Sequence, residues 1–221
     1  MSHLANLLTL LSLFCGFASV VFSLEQRFSL AAWALIASMV LDGIDGQVAR
    51  RSTSSSTFGR ELDSLADAVC FGVAPAILGY GCIYHRFHLW AILALFIYLS
   101  CSIIRLAYYN VTPKEKMAWF FYGLPTTASG GLLASFVLVY MGHAAFPPEG
   151  AFLFLVFALS VLMVSRVRYL NLDGLRSVMK QGFWLVILAG LVLFFFSPGL
   201  AIFSVLALYV VIGPFLAAKV S

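Results

Sequence analysis

This sequence predicts an all-α integral membrane protein, folded as a single polytopic domain over residues 1–221. Three observations lead there. The chain is 62% hydrophobic and only 10% charged, with a mean hydropathy of +1.02, which excludes an ordinary soluble domain. Apolar runs recur at the length of about 20 residues that a helix needs to cross a bilayer. The basic residues alternate between successive connections, as the positive-inside rule requires of a multi-pass chain.

Eight spans are predicted, at 4–24, 29–50, 60–84, 87–109, 124–142, 149–166, 181–197 and 199–217. The first run lacks a basic leader and a small-residue cleavage site, and further spans follow directly, so it reads as a helix and not as a signal peptide. Short connections make neighbouring helices antiparallel. With the N-terminus inside, eleven of the thirteen Lys and Arg residues fall on the inner side, and only Arg27 and Arg86 on the outer. That partition puts both termini on the cytoplasmic side of a cell (inner) membrane. The net charge of +4 is then a basic rim facing anionic headgroups or phosphate ligands, and calls for no nucleic acid. The aromatic run at 119–122, after Lys114 and Lys116, predicts a short helix on the inner surface. Cys15, Cys70, Cys82 and Cys101 have no paired spacing and read as small buried hydrophobes. The last two helices, 181–217, are expected to be peripheral to the motif at 42–67.

That motif holds five of the nine acidic residues within 26 positions: Asp42, Asp45, Glu61, Asp63 and Asp67. Carboxylates in a membrane segment are costly and mark function. Asp42 and Asp45 are three apart, and Asp63 and Asp67 four apart, so on helices each pair shares a face. Two helices that present such pairs to each other make an oxygen box for a hard divalent cation. Gly46 and Ala49 would leave room on the same helix for a flat nucleotide. Arg50 supplies a cation, and the hydroxyl-rich loop that includes Ser56 suits phosphate oxygens.

Read from Asp42, the pattern is D-x2-D-G-x2-A-R-x8-G-x3-D-x3-D, filled by Asp42, Asp45, Gly46, Ala49, Arg50, Gly59, Asp63 and Asp67. It matches the signature of the CDP-alcohol phosphatidyltransferase family at every position. ELDSLADAVCFGVAPA (61–76), Asn6-Leu-Leu-Thr9, Arg105-Leu-Ala, Gly123-Leu-Pro125 and Ser165-Arg-Val-Arg168-Tyr169 are similar to that family's membrane-embedded, serine-accepting branch. The resemblance covers most of residues 4–170. The sequence departs from the usual pattern at Ala5, where the family has proline, and at Tyr108, where it has arginine.

The resemblance implies the CDP-alcohol phosphatidyltransferase fold and a transfer of phosphatidyl from CDP-diacylglycerol to L-serine, with release of CMP. It implies two Mg²⁺ or Mn²⁺ ions on Asp42, Asp45, Asp63 and Asp67, with Asp67 also the general base toward the serine hydroxyl. Donor contacts would come from Asn6, Thr9, Gly46, Ala49, Arg50, Ser56 and Gly59. Acceptor contacts would come from Arg105, Arg166 and Arg168, whose forked guanidinium groups suit a carboxylate. Membrane lipids and a second copy of the chain, as a homodimer, complete the expected partners. Two alternatives keep the chemistry and change the molecules: another acceptor such as inositol phosphate or glycerol 3-phosphate, or an ether-lipid donor. A divalent-cation transporter is the alternative from another class. It fits less well, because transporter sites lie near the midplane between repeated halves and these acids crowd one helix end.

Overall fold

The computed structural model describes residues 2–51, 57–112, 120–142, 149–171, 174 and 181–218; for residues 2, 3, 48–51, 121, 181–185 and 187 it describes the backbone alone. Its helices are α1 (Ser2–Leu24), α2 (Phe28–Arg51), α3 (Thr57–Asp67), α4 (Ala74–Phe87), α5 (Leu89–Val111), α6 (Thr126–Gly142), α7 (Glu149–Val164), α8 (Gln181–Phe196) and α9 (Pro198–Ala218). A π-helical turn over Ala68–Val73 joins α3 to α4 without a break, so the described residues form eight rods in the predicted order. The connections are as short as expected. Gln26 turns the chain between α1 and α2 at φ 61°, and His88 alone separates α4 from α5 at φ 42°.

Five stretches are long and apolar enough to cross a membrane: Leu4–Leu24, Phe28–Gln47, Thr57–Phe87, Leu89–Val111 and Pro198–Ala218. The other three rods, α6, α7 and α8, have 17, 16 and 16 residues. At 1.5 Å per residue they rise about 24–26 Å, slightly less than a hydrocarbon core of about 30 Å. The shortness of α6 goes with its position, because it is the axis of the bundle. Residues 128–137 are buried without interruption, the pattern of a helix apolar on every side. Small residues let its neighbours close in. Gly130 faces Phe71 of the π turn, and Gly131 faces Met39 of α2 and Leu206 of α9.

The structure corrects the surface helix expected at 119–122. Phe120–Tyr122 is a strand, β1, paired antiparallel with β2 (Arg168–Leu170) in the register Phe120↔Leu170, Phe121↔Tyr169 and Tyr122↔Arg168; Trp119 lies outside the described residues. Consecutive aromatics favour an extended chain. Gly123 at φ 76° with Pro125 just beyond it then prevents a helix from starting before Thr126. Gly123 N donates to Val167 O at 2.8 Å and Leu124 N to Leu162 O at 3.0 Å. These bonds clamp the start of α6 to the end of α7.

Helix α9 joins this clamp. Tyr209 Oη donates to Leu170 O at 3.1 Å, and Tyr169 Oη to Val210 O at 3.3 Å. Of the pair expected to be peripheral to the motif, α9 thus packs on α6 and the sheet, while α8 packs on α9. The antiparallel order gathers the ends of α2, α5 and α7 with the starts of α3 and α6 at one end of the bundle. At the opposite end, Arg86 Nε and Glu149 Oε2 lie 3.4 Å apart and link α4 to α7.

Candidate active site

The sequence pairs form as helical spacing predicts. Asp42 and Asp45 lie in the second half of α2, and Asp63 and Asp67 in the second half of α3. Across the two helices, Asp42, Asp63 and Asp67 each bring one carboxylate oxygen within 4.8 Å of the others. Like charges so close, in surroundings of low dielectric, repel one another strongly. A hard divalent cation is the partner whose chemistry suits an all-carboxylate set. The donors present therefore fit such an ion.

Asp45 occupies a different place. It is 3% exposed, and its Oδ2 accepts a hydrogen bond from Thr9 Oγ1 of α1 at 3.0 Å. The same hydroxyl lies 3.1 Å from Ala5 O, but it has one proton and can serve only one acceptor at a time. A turn further along, Ser12 Oγ lies 3.0 Å from Ser38 O and 2.9 Å from Ser38 Oγ. Among the described residues, hydroxyl hydrogen bonds thus tie α1 to α2 at two successive turns. Thr9, expected among the donor contacts, spends its hydroxyl inside the protein.

The other expected donor residues surround this end of α2. Asn6 is half-buried one turn before Thr9 on α1. A Cβ placed on Gly46, or on Gly43, would meet nothing within 4 Å among the described residues, which leave space beside the aspartate helix there. Gly59 lies in the first turn of α3. Ala49 and Arg50 fall in the final turn of α2, but their side chains, and all of Ser56, lie outside the described residues.

Of the three arginines expected to meet the acceptor, the structure brings one to the aspartates. Arg105, near the end of α5, interacts electrostatically with Asp67 and with Tyr209 of α9. Its Nη1 donates to Thr126 Oγ1 at 3.3 Å, its guanidinium lies 5.7 Å from the centre of the Tyr109 ring, and its Nε is buried with no hydrogen-bond partner among the described residues. Arg166 and Arg168 are exposed; Arg168 sits over the Tyr122 ring at 5.8 Å. Tyr108, which stands where the family pattern has arginine, is 68% exposed.

Sequence reasoning missed three contributors. Thr126 opens α6 after Gly123 and Pro125, a start signal that could have marked it. Ser64, between Asp63 and Asp67, exchanges hydrogen bonds with Asn110 of α5 at 3.0 and 2.8 Å. Tyr209 carries no local signal, because its place depends on how α9 packs.

The family model described as CDP-alcohol phosphatidyltransferase matches residues 2–165. The chain is 35% identical over 210 residues to the CDP-diacylglycerol–serine O-phosphatidyltransferase of Helicobacter pylori (strain ATCC 700392 / 26695), an overlap covering 94% of this chain and 88% of that one. It is 32% identical over 174 residues to the archaetidylserine synthase of Methanothermobacter thermautotrophicus, covering 78% and 71%. It is 39% identical over 139 residues to the CDP-diacylglycerol–serine O-phosphatidyltransferase of Saccharomyces cerevisiae, covering 56% and 49%. A bundle of apolar helices with a carboxylate cluster at one end defines a multi-pass membrane protein with an acidic group that could hold a metal ion. The chain belongs to the CDP-alcohol phosphatidyltransferase family.

Proposed function

We propose that the protein transfers the phosphatidyl group of CDP-diacylglycerol to L-serine, forming phosphatidylserine and releasing CMP. The observation that carries this reading is the convergence of Asp42, Asp63 and Asp67, with the charge of Arg105 acting on Asp67. Relatives named for serine as acceptor support it, over 94% of the chain in the Helicobacter pylori case.

In this reading the serine Oγ forms a bond to the phosphatidyl phosphorus. The bond from that phosphorus to the oxygen of CMP breaks, and CMP leaves with the electron pair. Asp67 accepts the hydroxyl proton, since it lies where both the carboxylate cluster and Arg105 can be reached. Asp42, Asp45, Asp63 and Asp67 would hold Mg²⁺ or Mn²⁺, two ions in all, which when bound withdraw charge from the diphosphate. Thr9 orients Asp45 for that task. The space beside Gly46 takes the nucleotide, with Asn6, Ala49, Arg50, Ser56 and Gly59 around it.

Arg105 binds the serine carboxylate. With Nη1 given to Thr126, Nε and Nη2 remain as a side-on fork, and Nε has no competing partner among the described residues. Arg166 and Arg168 then serve the basic rim. Positive charge concentrated at this end supports a site on the cytoplasmic side of the cell membrane, with both termini on that side. Assembly as a homodimer belongs to the same reading, and cross-linking in native membranes tests it.

The deciding experiment is an acceptor screen with purified protein, CDP-diacylglycerol and Mn²⁺ or Mg²⁺. Serine should yield phosphatidylserine and CMP, while inositol phosphate and glycerol 3-phosphate should not. A product from another alcohol with none from serine would overturn the acceptor. Replacing the donor by its ether-linked counterpart checks the lipid, because one relative is named for an archaeal lipid. Cation flux in proteoliposomes without transfer would favour a transporter.

A further inference from the structure

The rod that carries Asp63 and Asp67 changes its helical register immediately after them. From Ala68 to Val73 the helix is π, and Ala74 N reaches back five residues to Val69 O. Proline at position 75 explains the change. In α register the N–H of residue 75 would bond the carbonyl of residue 71. Proline has no N–H, and its ring collides with that carbonyl. The Phe71 carbonyl therefore loses its α-helical donor in a place where no water substitutes, since Phe71 is 0% exposed.

Tyr98 of α5 supplies the replacement. Its Oη lies 3.0 Å from Phe71 O and 3.0 Å from Ser129 Oγ of α6, and the whole residue is 0% exposed. Counting protons gives the direction. A carbonyl only accepts, so the phenol donates to Phe71 O; Ser129 Oγ, 3.0 Å from the phenol, shares its one proton among the phenol, Thr126 O at 2.9 Å and Met163 Sδ at 3.3 Å. The result is a chain of hydroxyls from α6 through α5 to the π turn. Close packing holds the turn on its other sides: Gly16 of α1 lies against Cys70, Gly72 against Leu99 and Ser102, and Gly130 against Phe71. π turns of this kind are rare and are frequently found at functional sites.

We propose that Tyr98 is a positioning residue for Asp67: its hydroxyl holds the Ala68–Val73 turn in π register and so sets how α3 presents Asp63 and Asp67 to Asp42. The inference rests on the reading that Asp67 serves the transfer. Restoring α register would rotate α3 against α4, moving both carboxylates relative to α2.

The test uses two substitutions in the full-length protein in detergent. Tyr98→Phe keeps the ring and removes one hydroxyl. Mn²⁺ binding followed by electron paramagnetic resonance should weaken about tenfold, and kcat should fall by about 10- to 100-fold, the scale of a small misplacement of catalytic groups. Pro75→Ala restores the missing N–H, so it should raise the melting temperature while lowering Mn²⁺ affinity and kcat. Opposite signs for stability and activity would not come from a merely structural role. Val156→Ala, a buried site on α7, provides the comparison: it should lower stability and leave Mn²⁺ affinity unchanged. If Tyr98→Phe lowers stability like Val156→Ala but keeps Mn²⁺ affinity and kcat, the proposal is wrong. If Asp67→Asn keeps full transfer activity, the base assignment fails by itself, and Mn²⁺ affinity in Tyr98→Phe still decides the role of the turn.

Discussion

Thr9 Oγ1 lies 3.0 Å from Oδ2 of Asp45 and joins the first helix to the second across 36 residues of sequence. The bond fills one lone-pair direction of a buried carboxylate. Thr9→Val removes the hydroxyl and keeps the shape. A hydrogen bond to a charged group contributes about 1.5–3 kcal/mol, so kcat/KM should fall by about 10- to 100-fold. Thr9→Ser should retain most activity. Equal turnover in Thr9→Val and wild type would mean that Asp45 needs no support from α1.

The three converging carboxylates make a prediction in which stability and activity part. Asp63→Asn removes one of the repelling charges, so in the presence of EDTA it should melt at a higher temperature than wild type. Mn²⁺ should raise the wild-type melting temperature, by an amount equivalent to about 2.7 kcal/mol at a hundredfold excess over Kd. It should stabilise the variant much less. Turnover should be lost in Asp42→Ala and Asp63→Ala alike. Scanning fluorimetry with and without the metal, beside a CMP-release assay, reads all of this.

Asp67→Asn separates proton transfer from binding. The amide keeps the size of the side chain but cannot accept the serine proton. Donor binding should persist while transfer falls by two orders of magnitude or more, the usual scale for loss of a general base. A collapse of donor affinity as large as the loss of turnover would make Asp67 chiefly a cation ligand.

Among the described residues nothing lies against Gly46, so its substitution tests the nucleotide's position more than the fold. Gly46→Leu should fold normally and bind Mn²⁺, yet lose affinity for CDP-diacylglycerol and CMP by steric exclusion. Unchanged CMP binding, measured by calorimetry, would place the nucleotide elsewhere.

Arg105→Lys keeps the charge and loses the fork. The apparent KM for serine should rise several-fold with donor binding unchanged, and Arg105→Ala should be worse. Arg168→Ala, on an exposed residue stacked on Tyr122, should leave the serine KM as it was. A reversed order between these two positions would hand the carboxylate to β2.

Much of the fold was legible because its determinants are local. Hydrophobic length marks a span whatever surrounds it, so all eight rods came within a few residues of their predicted ends. Helical spacing likewise put Asp42 with Asp45 and Asp63 with Asp67 on shared faces. The strand at Phe120–Tyr122 was not legible, because a three-residue strand exists only through its partner, 48 residues away at Arg168–Leu170. Arg166 and Arg168 could not be told apart from Arg105 in sequence, since every inner helix end of a membrane protein gathers arginine.

By itself the sequence determined that the chain crosses the membrane repeatedly and carries paired carboxylates at one end, because hydrophobicity and periodicity act within a single helix. Tertiary structure alone decided which three carboxylates converge, that Thr9 holds the fourth, and that Arg105 turns inward while Arg166 and Arg168 do not. It also decided where the carbonyl freed by Pro75 finds a donor. Proline at 75 announces the missing bond, but Tyr98 answers it from 27 residues away, through the packing of α5 and α6 around the turn. In a bilayer no water can supply such a bond, so the fold has to bring the partner.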